Sequence, residues 1–157
     1  MLYFHWANDP TVRTHSFTQE PIPLDTHQRW FERALADPYT VLYVAETEPP
    51  YAAPHATRQP IGQIRFHCAD GIAEIGFSLD AAFRGKGLGT ALLRAGSERL
   101  VQEYSKRFTL RTVRGAVKIT NTASHLAFER AGFVRSADST DAVIYYEQHI
   151  AQNSHLV

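Results

Sequence analysis

Apolar and polar positions are most sharply ordered between residues 72 and 100. Ile75, Phe77 and Leu79 alternate with Glu74, Gly76 and Ser78, the two-residue period of a strand with one buried face. Farther on, Leu88, Ala91, Leu92, Ala95 and Leu100 recur at helical spacing and leave Arg94, Glu98 and Arg99 for solvent. The same reading predicts a short helix over 2–8, holding Leu2, Phe4 and Trp6 and ended by Asn8-Asp9-Pro10. A polar loop with Arg13, His15 and Ser16 follows. Asp25 to Gln28 reads as a capping box opening a second helix, with Trp30, Phe31, Ala34 and Leu35 on its apolar stripe and Asp37-Pro38 as its stop. Residues 40–47 and 61–68 read as strands, the second with Gln63, Arg65 and His67 on one face; the proline-rich stretch 48–60 between them reads as a loop free to move. Past residue 100, a basic strand over 108–117 precedes a helix over 121–130 that stops at Gly132, and two last strands begin at Phe133 and Ala142. This order gives an α+β (α/β) fold with a mixed sheet.

Composition narrows the picture in a few respects. A chain of 157 residues with 44% hydrophobic and 20% charged residues reads as one globular domain, residues 1–157. Its net charge of zero offers no broad footprint for nucleic acid or an anionic membrane. No apolar run approaches the roughly 20 residues of a membrane span, and the first ten residues lack the pattern of a signal peptide, so a cytoplasmic protein is expected. Cys68 stands alone. Without a second cysteine or a His-Glu-x-x-His run, no metal site is expected despite eight histidines.

Chemistry enters where the central strand hands over to its helix. Arg84, Gly85, Lys86, Gly87, Leu88 and Gly89 place three glycines at a helix start, where unpaired amides and the positive end of the macrodipole favour an anion. The spacing excludes a Walker A loop and the dinucleotide-type Gly-x-Gly-x-x-Gly. Arg84, Gly87 and Gly89 instead form Arg-x-x-Gly-x-Gly, which resembles the pyrophosphate loop of the GNAT superfamily of acetyl-CoA-dependent N-acetyltransferases. A second signature resembles that family in Asn121, Ser124, Phe128, Gly132 and Phe133. The head of the chain, with Trp6, Asn8, Asp9, Pro10, Val12, Arg13, His27, Trp30 and Phe31, resembles a narrower group of amino-sugar-nucleotide and ribosomal-protein N-terminal acetyltransferases.

The resemblance implies a mostly antiparallel central sheet flanked by helices, acetyl-CoA as co-substrate, and a primary amine as acceptor. It implies cofactor contacts at Phe77, Leu79, Arg84, Gly85, Lys86, Gly87, Leu88, Gly89, Thr90, Asn121 and Ser124. Family members begin with a strand before the first helix, and here only Met1 precedes it. That strand is then absent, lost from the start of the chain, or supplied by a neighbouring subunit in a homodimer. Phe128 stands where relatives often carry a tyrosine acid.

Acetyl transfer from a thioester needs a neutral amine and a stabilised oxyanion. A thiol pKa near 8.5 makes thiolate release at pH 7 cost only about 2 kcal/mol without an acid. Deprotonating an amine of pKa ~8 costs roughly 1.4 kcal/mol, against about 4.6 for a lysine. Low-pKa amines are therefore the expected acceptors. Glu74 is the candidate base, the alternative being a solvated carboxylate or one paired with Arg65. The amide of Ser78 or Leu79 is the candidate oxyanion donor, following the resemblance. Tyr145 or Tyr146, whichever faces the cleft, is a substitute acid. Asn8, Asp9, Arg13, His27 and Arg65 are the acceptor-side candidates; Arg13 and Arg65 could hold a nucleotide diphosphate. An amino-sugar nucleotide is the favoured acceptor, and a basic cleft would support it. A protein N-terminus, favoured by an acidic groove, and a non-catalytic acyl-CoA-binding module are the rivals.

Overall fold

The computed structural model describes residues 1–48 and 57–151. The predicted mobile loop lies largely outside the described residues, but the strands it joins pair antiparallel: β1 (Thr40–Glu46) and β2 (Pro60–Ala69). A two-residue turn, Asp70 and Gly71, both at positive φ, folds β2 back onto β3 (Ile72–Leu79). This hairpin fixes the register on which the site depends: Gln63 opposite Ser78, Arg65 opposite Gly76, and His67 opposite Glu74.

From β3 the chain passes through one 3-10 turn (Ala81–Phe83) into a long helix over Leu88–Phe108, here α4 because three helices precede β1. Those are α1 (Leu2–Ala7), α2 (Pro10–His15) and α3 (Leu24–Ala36). Then come β4 (Thr112–Lys118), α5 (Thr122–Ala131), β5 (Val134–Arg135) and β6 (Val143–His149). The strand order is β1-β2-β3-β4-β6-β5, with β3 and β4 parallel and every other pair antiparallel. The predicted mixed, mostly antiparallel sheet is therefore present.

Period-two alternation divides this sheet into an apolar and a polar face. Ile64, Phe66, Ala73, Val113, Val117 and Tyr146 join Leu92, Leu93 and Leu100 of α4 and Phe128 of α5 in one core. Phe128 is packed against Phe133, Phe77 and Tyr146, stacking on the last at 5.2 Å. A Cβ on Gly115 would overlap the Phe128 ring, so a residue without a side chain lets α5 settle onto β4. The other face carries Gln63, Arg65, His67, Glu74, Ser78, Arg114 and Tyr145, partly roofed by α1–α3.

Several local expectations are corrected. The stretch read as a polar loop at 11–16 is mostly α2, begun by Pro10 at its first turn and by an Asp9 carboxylate that accepts from the Val12 amide at 3.1 Å. The capping box is not formed: the N-cap is Pro23, two residues before Asp25, without a side-chain cap, and Asp25 pairs with Arg29 at 3.0 Å. The strand expected from Phe108 begins at Thr112, because α4 continues to Phe108 and ends on Thr109 in a left-handed conformation. Finally, α4 buries Leu92, Leu93, Gly96, Ser97 and Leu100 and leaves Ala91 and Ala95 exposed.

Candidate active site

Strands β3 and β4 pair only from Ile72–Ile75 against Thr112–Gly115. Beyond that they part, and a gap opens beside Gly76–Leu79. The Asp80 amide donates to Ile61 O at 2.8 Å, and the alternation of an antiparallel ladder then turns the Gly76 and Ser78 amides toward β2. The amides of Phe77 and Leu79 face the gap. Of the two oxyanion donors expected, the ladder thus removes Ser78 and keeps Leu79, adding Phe77. The Ser78 side chain is buried, its hydroxyl accepting from Gln63 at 3.2 Å.

At the head of the gap lies the glycine loop. Gly85 and Gly87 have φ of 72° and 75°, a conformation other residues adopt at a cost. Nothing stands within 4 Å of where a Cβ on either would be, so neither glycine is there for packing. Among the described residues, no carbonyl or side chain accepts from the six amides of residues 85–90; the first helical bond runs from Ala91 to Gly87 O. Six unpaired donors at the start of a helix of 21 residues suit a diphosphate.

Arg84 does not aim its charge at that ligand. Its guanidinium donates to Leu79 O at 3.1 and 2.9 Å and pairs with Asp9 at 2.9 Å. It ties the loop to β3 and to α2. Burial works against the Asp9 carboxylate, but the Arg84 hydrogen bond and the Val12 amide outweigh it and hold its pKa below the usual range. Lys86 folds back on Ala82 O at 2.9 Å and stays on the rim. Asn8 grips the Ile22 backbone through both amide atoms, at 3.1 and 2.7 Å, pinning the loop before α3. Asn8 and Asp9 shape the cleft and do not line it.

The cleft, about 1150 Å³, runs from the glycine loop to the roof of α1–α3. It brings together Phe77, Ser78, Leu79, Gly85, Gly87, Gly89, Thr90, Asn121, Ser124, Arg13, His27, Arg65, Glu74 and Tyr145. Asn121 caps α5 through its oxygen, accepting from the Ser124 amide at 3.2 Å. Glu74 is exposed and forms no ion pair among the described residues; Arg65, its alternative partner, lies opposite Gly76. Of the two tyrosines, Tyr145 faces the cleft, under the Arg114 guanidinium at 4.2 Å. Tyr146 is in the core, bonded to Glu129 and His125 at 3.0 Å. His27 is 6% exposed and wedged among Phe4, Trp30 and Phe31, so packing accounts for it.

Arg65 and Arg13 behave differently. The Arg65 guanidinium lies 5.2 Å from the Trp30 ring centre, over Gly76, without a carboxylate or carbonyl partner among the described residues. Desolvation lowers its pKa; Tyr3 acts to raise it and nearby Arg13 to lower it, and the net direction is down. Arg13 is itself lowered by desolvation; its guanidinium donates to Thr18 O at 3.1 Å and Ser16 Oγ at 2.7 Å, and its buried Nε has no partner among the described residues. Seven Lys or Arg residues line the large cleft against one carboxylate, Glu74. Among the described residues, only Arg84 and Arg114 of the seven have acidic partners. The cleft is basic.

Residues 1–134 match the family model of the acetyltransferase (GNAT) domain. The chain belongs to the GNAT acetyltransferase family. It is thus an acyltransferase of the GNAT type, and the amide cradle fits the diphosphate of its acetyl-CoA co-substrate. Solved structures share the fold. A spermidine N-acetyltransferase from Vibrio cholerae in complex with CoA and spermine superposes with a TM-score of 0.75 at 16% identity, over 94% of this chain and 88% of that one. Aminoglycoside acetyltransferase AAC(6')-Ib in complex with coenzyme A gives 0.70 at 22%, over 94% and 87%. The Campylobacter jejuni N-acetyltransferase PseH in complex with acetyl coenzyme A gives 0.60 at 15%, over 81% and 79%. No curated protein matches the sequence. No helix among the described residues is long and apolar enough to cross a membrane, and no three of their His, Cys, Asp or Glu side chains cluster to hold a metal.

Proposed function

We propose that this GNAT enzyme transfers acetyl directly to a small, anionic primary amine, best read as an amino-sugar nucleotide. Acetyl-CoA supplies the activated acetyl group. The amides of residues 85–90 hold its diphosphate, and Asn121 and Ser124 contact its arm along the β3–β4 gap. The Phe77 and Leu79 amides donate to the oxygen on which charge develops. Glu74 removes the ammonium proton directly or through water, and Tyr145 is the hydroxyl available to the departing sulfur.

One observation carries the choice of acceptor: Arg65 lies across the cleft with Arg13 near enough to depress its pKa, and neither guanidinium has a carboxylate partner among the described residues. A diphosphate between them would remove that repulsion. A protein N-terminus as acceptor calls for an acidic groove, whereas Glu74 is the one carboxylate among the residues lining the cleft.

Free-thiol release with a panel of amines tests the reading. An amino-sugar nucleotide should react fastest, the same amino sugar without its diphosphate more slowly, and lysine peptides slowest. Comparable rates across the panel would remove the acceptor assignment. Acetyl-CoA binding by calorimetry without turnover of any amine would leave only a binding module.

A further inference from the structure

Behind Glu74 lies a second, smaller cavity of about 500 Å³, lined among others by Arg33, Asp37, Thr40, His67 and Glu74. It meets the large cleft at Arg65, Trp30 and Gly76, where the Arg65 side chain lies across the sheet. The acetyl-transfer reading gives this cavity no task. Its residues are nevertheless built into a chain. The Tyr39 amide donates to Asp37 Oδ1 at 3.1 Å, and the Thr40 hydroxyl donates to Oδ2 at 2.6 Å. His67 Nδ1 lies 3.5 Å from that same oxygen. His67 in turn stands directly opposite Glu74 in the β2–β3 ladder.

We propose that His67, oriented by Asp37, takes from Glu74 the proton that Glu74 removes from the amine and releases it to water in the smaller cavity. This rests on Glu74 being the base. Two substrates filling the large cleft exclude water from it, so the proton that Glu74 takes leaves on the small-cavity side, which Glu74 also lines and where His67 stands. The small cavity is large enough for water and presents Asp37, Thr40 and Glu74 as partners for it. Nδ1 faces the Asp37 carboxylate at 3.5 Å and the Thr40 oxygen at 3.4 Å, a setting that favours the imidazole proton on Nδ1 and leaves the Nε2 lone pair as the acceptor. The hydrogen bonds from Thr40 and the Tyr39 amide hold the Asp37 pKa down, so the carboxylate stays ionised. The charged groups facing His67 are Arg33 and Asp37 at the α3 side, Arg65 on its own strand, and Glu74 on β3.

The protons balance. The ammonium gives one proton to the Glu74 carboxylate; the acid passes it to His67 Nε2, then to water, and both side chains return to their starting state. The nitrogen–carbon bond forms as the carbon–sulfur bond breaks. The nitrogen's second proton ends on the departing sulfur.

His67→Gln keeps the size and hydrogen bonding of the side chain and removes its titration. It should lower kcat ~10-fold while leaving the KM for acetyl-CoA and the melting temperature unchanged. Added imidazole should restore the rate in proportion to its concentration, with no effect on the unmodified enzyme. Asp37→Asn should show a smaller loss with the same rescue. An unchanged kcat and no buffer dependence in His67→Gln, beside a slow Glu74→Gln, would refute the relay and leave the base standing. A Glu74→Gln enzyme as fast as the unmodified one would overturn the base, and the relay with it.

Discussion

The two faces of one sheet have been given opposite tasks by the same alternation. On the α4–α5 side, Ile64, Phe66, Leu93, Leu100 and Tyr146 are fully buried, and stability comes from area removed from water. On the α1–α3 side, Arg65 and Glu74 have no ion-pair partner among the described residues. A stable core on one face tolerates uncompensated charge on the other, and the imbalance is what a ligand can answer.

Substitutions should separate the faces. The largest effect is expected from Glu74→Gln, which should lower kcat by roughly 10²- to 10⁴-fold and leave the melting temperature alone; steady-state kinetics beside thermal denaturation decides it. On the apolar face, Phe128→Ala should cost about 3–5 kcal/mol of stability in urea denaturation. If it instead abolished turnover in a fully folded enzyme, the division of labour would be wrong. Gly87→Ala, at a positive φ with open space around it, should cost about 1–2 kcal/mol of backbone strain and weaken acetyl-CoA binding in calorimetry. The smallest effect concerns acid. Hydrogen bonds from Trp6 Nε1 and the Ala82 amide, each 3.0 Å, hold the Asp80 pKa down. Its contribution is then present above about pH 4, the unfolded value, and fades as pH falls through the lower folded value. Denaturation from pH 5 to 2 should show a shallower acid limb in Asp80→Asn.

What could be read beforehand was local. The alternation of β3, the glycine loop, the Asn121 cap and the Gly132 stop each need only a few neighbouring residues, and each is present. Helix α2 escaped notice because six residues carry no apolar stripe; its one local signal was Asp9 before Pro10. The buried stripe of α4 differs from the expected one because Gly96 and Ser97 read as neutral, whereas both are buried and the bare Gly96 lets the helix approach Ile64. The site's pairings are non-local. Arg84 with Asp9, Arg65 over Gly76 and His67 beside Glu74 depend on the β2–β3 register and on where α2 comes to rest, and no short window contains them.

The central claim is that the amides of residues 85–90 hold a diphosphate and so direct the acetyl group past Phe77 and Leu79 toward Glu74. Titrating the ¹⁵N-labelled protein with coenzyme A measures it amide by amide. The account predicts the largest shifts at Gly85–Thr90, followed by Phe77 and Leu79, with Ser78 less affected. Saturable binding that left these amides unmoved and shifted another part of the chain would contradict it.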